Sequence, residues 1–97
     1  MPTKVVVKDD VKIITPKLYK VILLNDDYTT FDFVIEILKT IFKKNEEEAI
    51  NLTLQVDREG SAAVGIYPYE IAQMKVEQTH TLARSAGFPL RVKIEEV

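Results

Sequence analysis

Leu18-Tyr19-Lys20-Val21-Ile22-Leu23-Leu24, followed by Asn25-Asp26-Asp27-Tyr28-Thr29-Thr30 and then Phe31, changes character twice within a short span. The first seven residues are apolar save Lys20, a run that predicts an inner strand covered on both faces. The next six carry an amide, two carboxylates and two threonine hydroxyls. Short polar side chains of this kind hydrogen-bond nearby backbone and favour turns and helix N-caps. Thr29-Thr30-Phe31-Asp32 reads as a capping box, with Asp32 as a short substitute for glutamate. A turn accounts for one or two of these residues. It does not require two adjacent, mutually repelling carboxylates directly after an asparagine at the end of a buried strand. Two readings stay open from composition alone: a loop with its N-cap, or a site for something positively charged.

Downstream, Phe31, Val34, Ile35, Leu38 and Phe42 fall at the spacing of one buried helical face, with Lys43 and Lys44 expected in the last turn. Asn45 and Glu48 make a second capping box, opening a helix whose Ala49, Leu52, Thr53 and Val56 share a face. Thr53 interrupts that stripe, and its hydroxyl is expected to bond back to the preceding turn. Gly60 suits a left-handed cap, whereas Asp57 sits near the helix C-terminus, where a carboxylate is electrostatically unfavourable. Ser61 to Ile66 predicts a short strand. Pro68 is expected at the first position of a third helix, with Ala72, Val76, Thr79 and Ala83 as its stripe and Ile71, Met74 and Leu82 flanking. Gly87 and Pro89 stop that helix, and Leu90 to Val97 alternates as a half-buried strand. The order β-α-α-β-α-β predicts an α+β fold: a three-stranded antiparallel sheet with three helices packed on it. Residues 18–97 would form this core, preceded by a flexible extension over residues 1–17.

The chain has 97 residues, 46% hydrophobic and 29% charged, with a net charge of −2 and no cysteine. That suits one small globular domain and excludes a disulfide framework or thiolate metal site. The near-neutral balance argues against nucleic-acid binding, which needs a basic face. No segment approaches a membrane span, and Met1 to Lys12 holds no apolar run of signal-peptide length, so a cytoplasmic setting is expected. Catalytic signals are sparse. His80, the only histidine, has no acid or nucleophile at useful spacing and reads as a spectator, and the three glycines are too scattered for a phosphate loop. The Asp26–Asp27 pair alone does not supply the roughly six oxygens of a hard-cation site.

Further landmarks bring in a resemblance. The run Tyr19 to Thr29, then Phe33-Val34, Glu46 to Ala49, Gly60, Gly65, Tyr67, Glu70-Ile71-Ala72, Lys75-Val76 and Pro89-Leu90 resembles the ClpS family over roughly residues 18 to 95. Members of that family are adaptors, without catalytic activity or cofactor, that bring N-degron substrates to a ClpAP-type protease. The resemblance implies binding of a free protein N-terminus whose first residue is Leu, Phe, Tyr or Trp. Asn25 and Asp27 match positions that hydrogen-bond the α-ammonium. Asp26 matches one that steadies the next peptide groups, and Thr29 lies at the pocket mouth. The pocket wall carries over to Phe31, Val34, Thr53, Val56 and Leu90. Tyr67, Glu70 and Lys75 match contacts to the N-terminal domain of a ClpA- or ClpC-type AAA+ unfoldase, with the adaptor itself a monomer. As bare sequence, Glu70 and Lys75 read as exposed helix charges. Three positions depart from the pattern: Asp57 stands where the family usually has histidine, and Phe31 and Thr53 stand where methionines are common. A reshaped pocket with its own ranking of first residues is the expected consequence.

Two other classes compete. A ribosomal-stalk-like interaction module would share the architecture but has no need for Asn25-Asp26-Asp27. A metal-dependent hydrolase would use the aspartate pair but lacks further ligands.

Overall fold

The computed structural model describes residues 16–97. The extension expected over residues 1–17 therefore lies, apart from Pro16 and Lys17, outside the described residues. Six elements follow in the expected order: β1 (Leu18–Leu24), α1 (Phe31–Thr40), α2 (Glu46–Glu59), β2 (Ser61–Pro68), α3 (Tyr69–Ser85) and β3 (Arg91–Glu96). The strands form one antiparallel sheet in the order β2-β1-β3, so the most apolar strand is the central one.

The helices cover one face of this sheet rather than two. Val21 and Leu23 of β1, Ala62 and Val64 of β2 and Val92 of β3 join Val34, Ile37, Leu38, Val56 and Ala72 in a single core. Lys20, Ile22 and Leu24 belong to the opposite face, where they pair with Ile66, Ala63 and Ser61 on one side and Glu95, Lys93 and Arg91 on the other. Ile22 still falls to 8% exposure, because a middle strand is shaded by its neighbours' side chains. An apolar residue on the open face of a central strand thus imitates a two-sided burial pattern. The register with β2 slips between Val21 and Ile22, leaving Val64 unpaired as a bulge that still reaches the core.

Local chemistry sets most boundaries. Thr30, not Thr29, caps α1, accepting from the Phe33 N–H at 3.2 Å. Thr29 is unavailable because its hydroxyl donates to Asp26. The helix ends at Thr40, so Lys43 and Lys44 lie beyond its last turn. Ile41 and Phe42 are drawn into the core, and Lys43 adopts φ 59° as the chain reverses to return the Lys44 N–H to the Leu38 carbonyl. The capping box of α2 forms as expected, with Asn45 Oδ1 accepting from Glu48 N at 2.8 Å and Glu48 Oε1 accepting from Asn45 N at 3.2 Å. Gly60 closes α2 at φ 90°, a conformation that glycine adopts without penalty. β2 runs on through Tyr67 and Pro68, which pair with Tyr19 and Leu18, so Pro68 caps α3 instead of opening it.

Two long-range bonds join α3 to the rest. Lys75 Nζ donates to the Ile41 carbonyl at 2.7 Å and lies over the rings of Tyr67 and Phe42, 5.3 and 5.9 Å from their centres. It is therefore no ordinary exposed charge. His80 is likewise more than a spectator: its Nε2 accepts the Val92 N–H at 3.1 Å. β3 is an edge strand, and a backbone donor not taken by β1 needs another acceptor.

Candidate functional site

At the end of β1 the Asn25 N–H donates to the Gly60 carbonyl at 2.9 Å, tying the loop to the joint between α2 and β2. The left-handed cap at Gly60 thus helps position Asn25. Asp26 then organises the turn. Its Oδ1 accepts the N–H groups of Tyr28 and Thr29, and its Oδ2 accepts the Thr29 hydroxyl, each at 2.7 Å. Burial pushes the Asp26 carboxyl up, but the Thr29 N–H and hydroxyl, the Tyr28 N–H and the Arg91 charge outweigh it and hold the group below its usual range.

This fixed loop borders a pocket of about 250 Å³. Its volume falls just below the roughly 300–1,000 Å³ typical of drug-sized ligands, which suits a single side chain. All ten residues expected from the sequence to form a substrate site line it: Asn25, Asp26, Asp27, Thr29 and Asp57 from the polar group, and Phe31, Val34, Thr53, Val56 and Leu90 from the apolar one. Leu24 is an eleventh, missed because it reads as the last residue of the strand. Val34, Val56 and Leu90 are buried and belong to floor and core together. Thr53, 2% exposed, donates its hydroxyl to the Ala49 carbonyl at 2.7 Å, as expected, so that proton is already engaged. Phe31 is 46% exposed, as befits a residue at the mouth.

The rim is anionic. Asp26 is occupied within the loop, but the side chains of Asn25, Asp27 and Asp57 engage no other described side chain, and the ion pairs among the described residues lie elsewhere. An apolar hollow beneath such acceptors can hold a greasy group bearing a cation. Among the described residues no three His, Cys, Asp or Glu side chains converge as metal ligands, and no helix is long and apolar enough to cross a membrane.

Tyr67, Glu70 and Lys75 stand apart from this pocket. Tyr67 pairs with Tyr19 at the opposite end of β1 from Leu24, roughly 17 Å away along the strand. Its ring folds back over Gly65, where any β-carbon would collide with it. A wider hollow of about 660 Å³ beside Lys75, between the end of α1 and α3, also lies away from the acidic loop.

Fold and site together define a small α+β binding domain with an apolar pocket and an acceptor-rich rim. Residues 14–93 match the family model described as "ATP-dependent Clp protease adaptor protein ClpS". The "ATP-dependent Clp protease adapter protein ClpS" of Nautilia profundicola is 80% identical over 97 residues, covering 100% of both chains. That of Wolinella succinogenes is 49% identical over 90 residues, covering 93% of this chain and 88% of the relative. Among solved structures, Agrobacterium tumefaciens ClpS2 bound to L-phenylalaninamide matches with a TM-score of 0.83 at 41% identity, over 86% of this chain and 100% of that one. The chain belongs to the ClpS family and is an adaptor of the Clp protease.

Proposed function

We propose that the chain binds the free α-amino group and large hydrophobic first side chain of N-degron substrates and delivers them, in the cytoplasm and as a monomer, to the N-terminal domain of a ClpA- or ClpC-type AAA+ unfoldase. The observation that carries this reading is the convergence of Asn25, Asp27 and Asp57, acceptors whose side chains engage no other side chain among the described residues, on a pocket floored by Val34, Thr53, Val56 and Leu90. The ligand of the Agrobacterium ClpS2 structure supports it, since phenylalaninamide joins a free α-amine to a benzyl group.

In this mechanism Asn25 Oδ1 accepts a hydrogen bond from the ammonium while Asp27 and Asp57 supply charge and further acceptors. Hydrogen bonds to a charged group contribute about 1.5–3 kcal/mol each, and burying a Leu or Phe side chain about 1.5–3 kcal/mol. Neither half survives the entropy of association alone, so both features are needed at once. A β-branched Val or a polar Ser fills or suits the hollow poorly, and an acetylated amine lacks the cation. Asp57, in place of the family's usual histidine, keeps an acceptor on the rim and turns its awkward helix-end position to use. Tyr67 and Glu70 offer the unfoldase a surface at the far end of the sheet, while Lys75 braces that surface from beneath.

Fluorescence anisotropy with a labelled peptide starting in Phe or Leu, beside its acetylated, Val- and Ser-initiated versions, tests the reading. Saturable binding of the first alone is expected. Equal retention of capped and free peptides overturns it.

A further inference from the structure

Leu90 comes to the pocket from the connection between α3 and β3. It is 1% exposed, yet it stands outside the sheet ladder, whose last pair at this end is Leu24 with Arg91. Pro89 before it brings no backbone N–H. Side chains of α3 hold this stretch instead. The helix closes with Gly87 at φ 83°, and the Phe88 N–H returns to the Ala83 carbonyl at 2.8 Å. Arg84 Nη1 then donates to the carbonyls of Phe88 and Leu90, each at 2.9 Å. One turn earlier, on the same face of the helix, His80 takes the Val92 N–H. Backbone groups of Phe88, Leu90 and Val92 are thus all tied to α3. The Phe88 ring packs on Phe33 with centres 5.0 Å apart, so the clamped stretch also meets the helix that carries Phe31 and Val34.

Arg84 is exposed, and an exposed arginine ordinarily contributes no more than a weak ion pair. Among the described residues it forms no ion pair, and it does not itself line the pocket. Both of its hydrogen bonds go to the connection that presents Leu90.

We infer that Arg84 is a positioning residue of the pocket: by pinning the Phe88 and Leu90 carbonyls it sets how far the Leu90 side chain stands into the hollow, and so the fit of the first side chain. This inference rests on the proposed binding of free N-termini and adds a determinant of pocket shape that acts through Leu90. A wall that retreats by about 0.5–1 Å forfeits roughly a quarter to a half of its contact attraction. A Leu side chain feels that gap more than a Phe, which is bulky enough to follow the wall. Charge predicts the opposite sign. Arg84 borders a groove with Asn25, Asp26 and Asp27, so removing its positive charge should by itself strengthen the hold on an ammonium. A loss of affinity therefore reports the wall.

Anisotropy with the full chain and labelled Leu- and Phe-initiated peptides tests it. Arg84→Ala should weaken the Leu-initiated peptide about tenfold and the Phe-initiated one about threefold. Arg84→Lys keeps a donor and should recover roughly half of that loss on a logarithmic scale. In a Leu90→Val background, where the wall is already cut back, Arg84→Ala should cost about twofold or less. Methyl NMR of the peptide-free protein gives a second reading that needs no Leu90 variant. The Leu90 resonances should move in Arg84→Ala, while those of Leu38, buried elsewhere in the core, should not. Melts followed by circular dichroism establish that each variant is folded. With the parent binding only free amines, this inference alone falls if Arg84→Ala binds as tightly as the parent or more tightly. It falls equally if lysine gives no rescue, if the loss persists undiminished beside Leu90→Val, or if the Leu90 methyls stay in place. If the parent binds neither peptide, or binds acetylated and free forms alike, the underlying reading falls with it.

Discussion

Replacing Asp26 with alanine removes three hydrogen bonds of 2.7 Å that hold the loop between β1 and α1 in shape. A bond to a buried charged acceptor contributes about 1.5–3 kcal/mol, but Asp26 is only partly buried and water can satisfy the freed donors. Discounted to about 0.5–1 kcal/mol each for solvent screening, the three sum to about 1.5–3 kcal/mol. For a chain of this length, that lowers Tm by roughly 6–24 °C. Asp26→Asn keeps an acceptor and should lose about half as much. The pH dependence has a definite sign. The folded carboxyl titrates below its usual value of 3.8, so its contribution is fully present above that value and is lost as pH falls through the depressed one. The alanine variant should lack that component of acid sensitivity. Because Asn25 and Asp27 flank the turn, peptide affinity should also fall about tenfold, or roughly 1.4 kcal/mol. Urea unfolding followed by circular dichroism, with anisotropy for binding, measures both. Unfolding within about 0.5 kcal/mol of the parent, the scatter of ordinary surface substitutions, together with unchanged affinity, would refute the role given to this carboxylate.

Other expectations concern residues remote from the turn. Lys75→Met should cost about 2 kcal/mol in urea unfolding by removing the bond to Ile41 and the contacts with Tyr67 and Phe42; a loss under about 0.5 kcal/mol would show Lys75 to be an ordinary surface charge. Burial and the nearby Arg84 hold His80 below its usual pKa, so stability should be full above about pH 6.5 and decline as pH falls through and below it. His80→Gln, which can still accept from Val92 but does not titrate, should flatten a pH series of unfolding midpoints; an unchanged slope would count against this assignment. Thr53→Met should narrow the pocket and weaken Phe- and Trp-initiated peptides about tenfold more than Leu-initiated ones, the scale set by a methylene or two in an apolar site. A uniform change across the three would show that Thr53 does not shape the preference.

The element order, the capping box at Asn45 and Glu48 and the left-handed cap at Gly60 were readable in the chain because they depend on side chains reaching backbone a few residues away. The ten pocket residues were legible through their family resemblance, and their positions on a loop, two helices and a strand end agree with the periodicity. Periodicity failed where tertiary neighbours decided the outcome. Ile37 and Ile41 lie off the expected stripe of α1 yet are buried, and Ile22 is shaded on a face that no helix covers. The cap of α1 moved to Thr30 because Asp26 claimed the hydroxyl of Thr29.

By itself, the sequence determined which segments coil and which extend, since those choices rest on short-range sterics and hydrogen bonds. Tertiary structure alone decided that Lys75 finds a carbonyl 34 positions away and that His80 meets a strand 12 positions on. It also decided that the acceptors of a loop and a helix end face one hollow. A side chain's distant partners are fixed only when the core closes, because nothing in its own stretch of chain specifies which backbone groups packing will bring within reach.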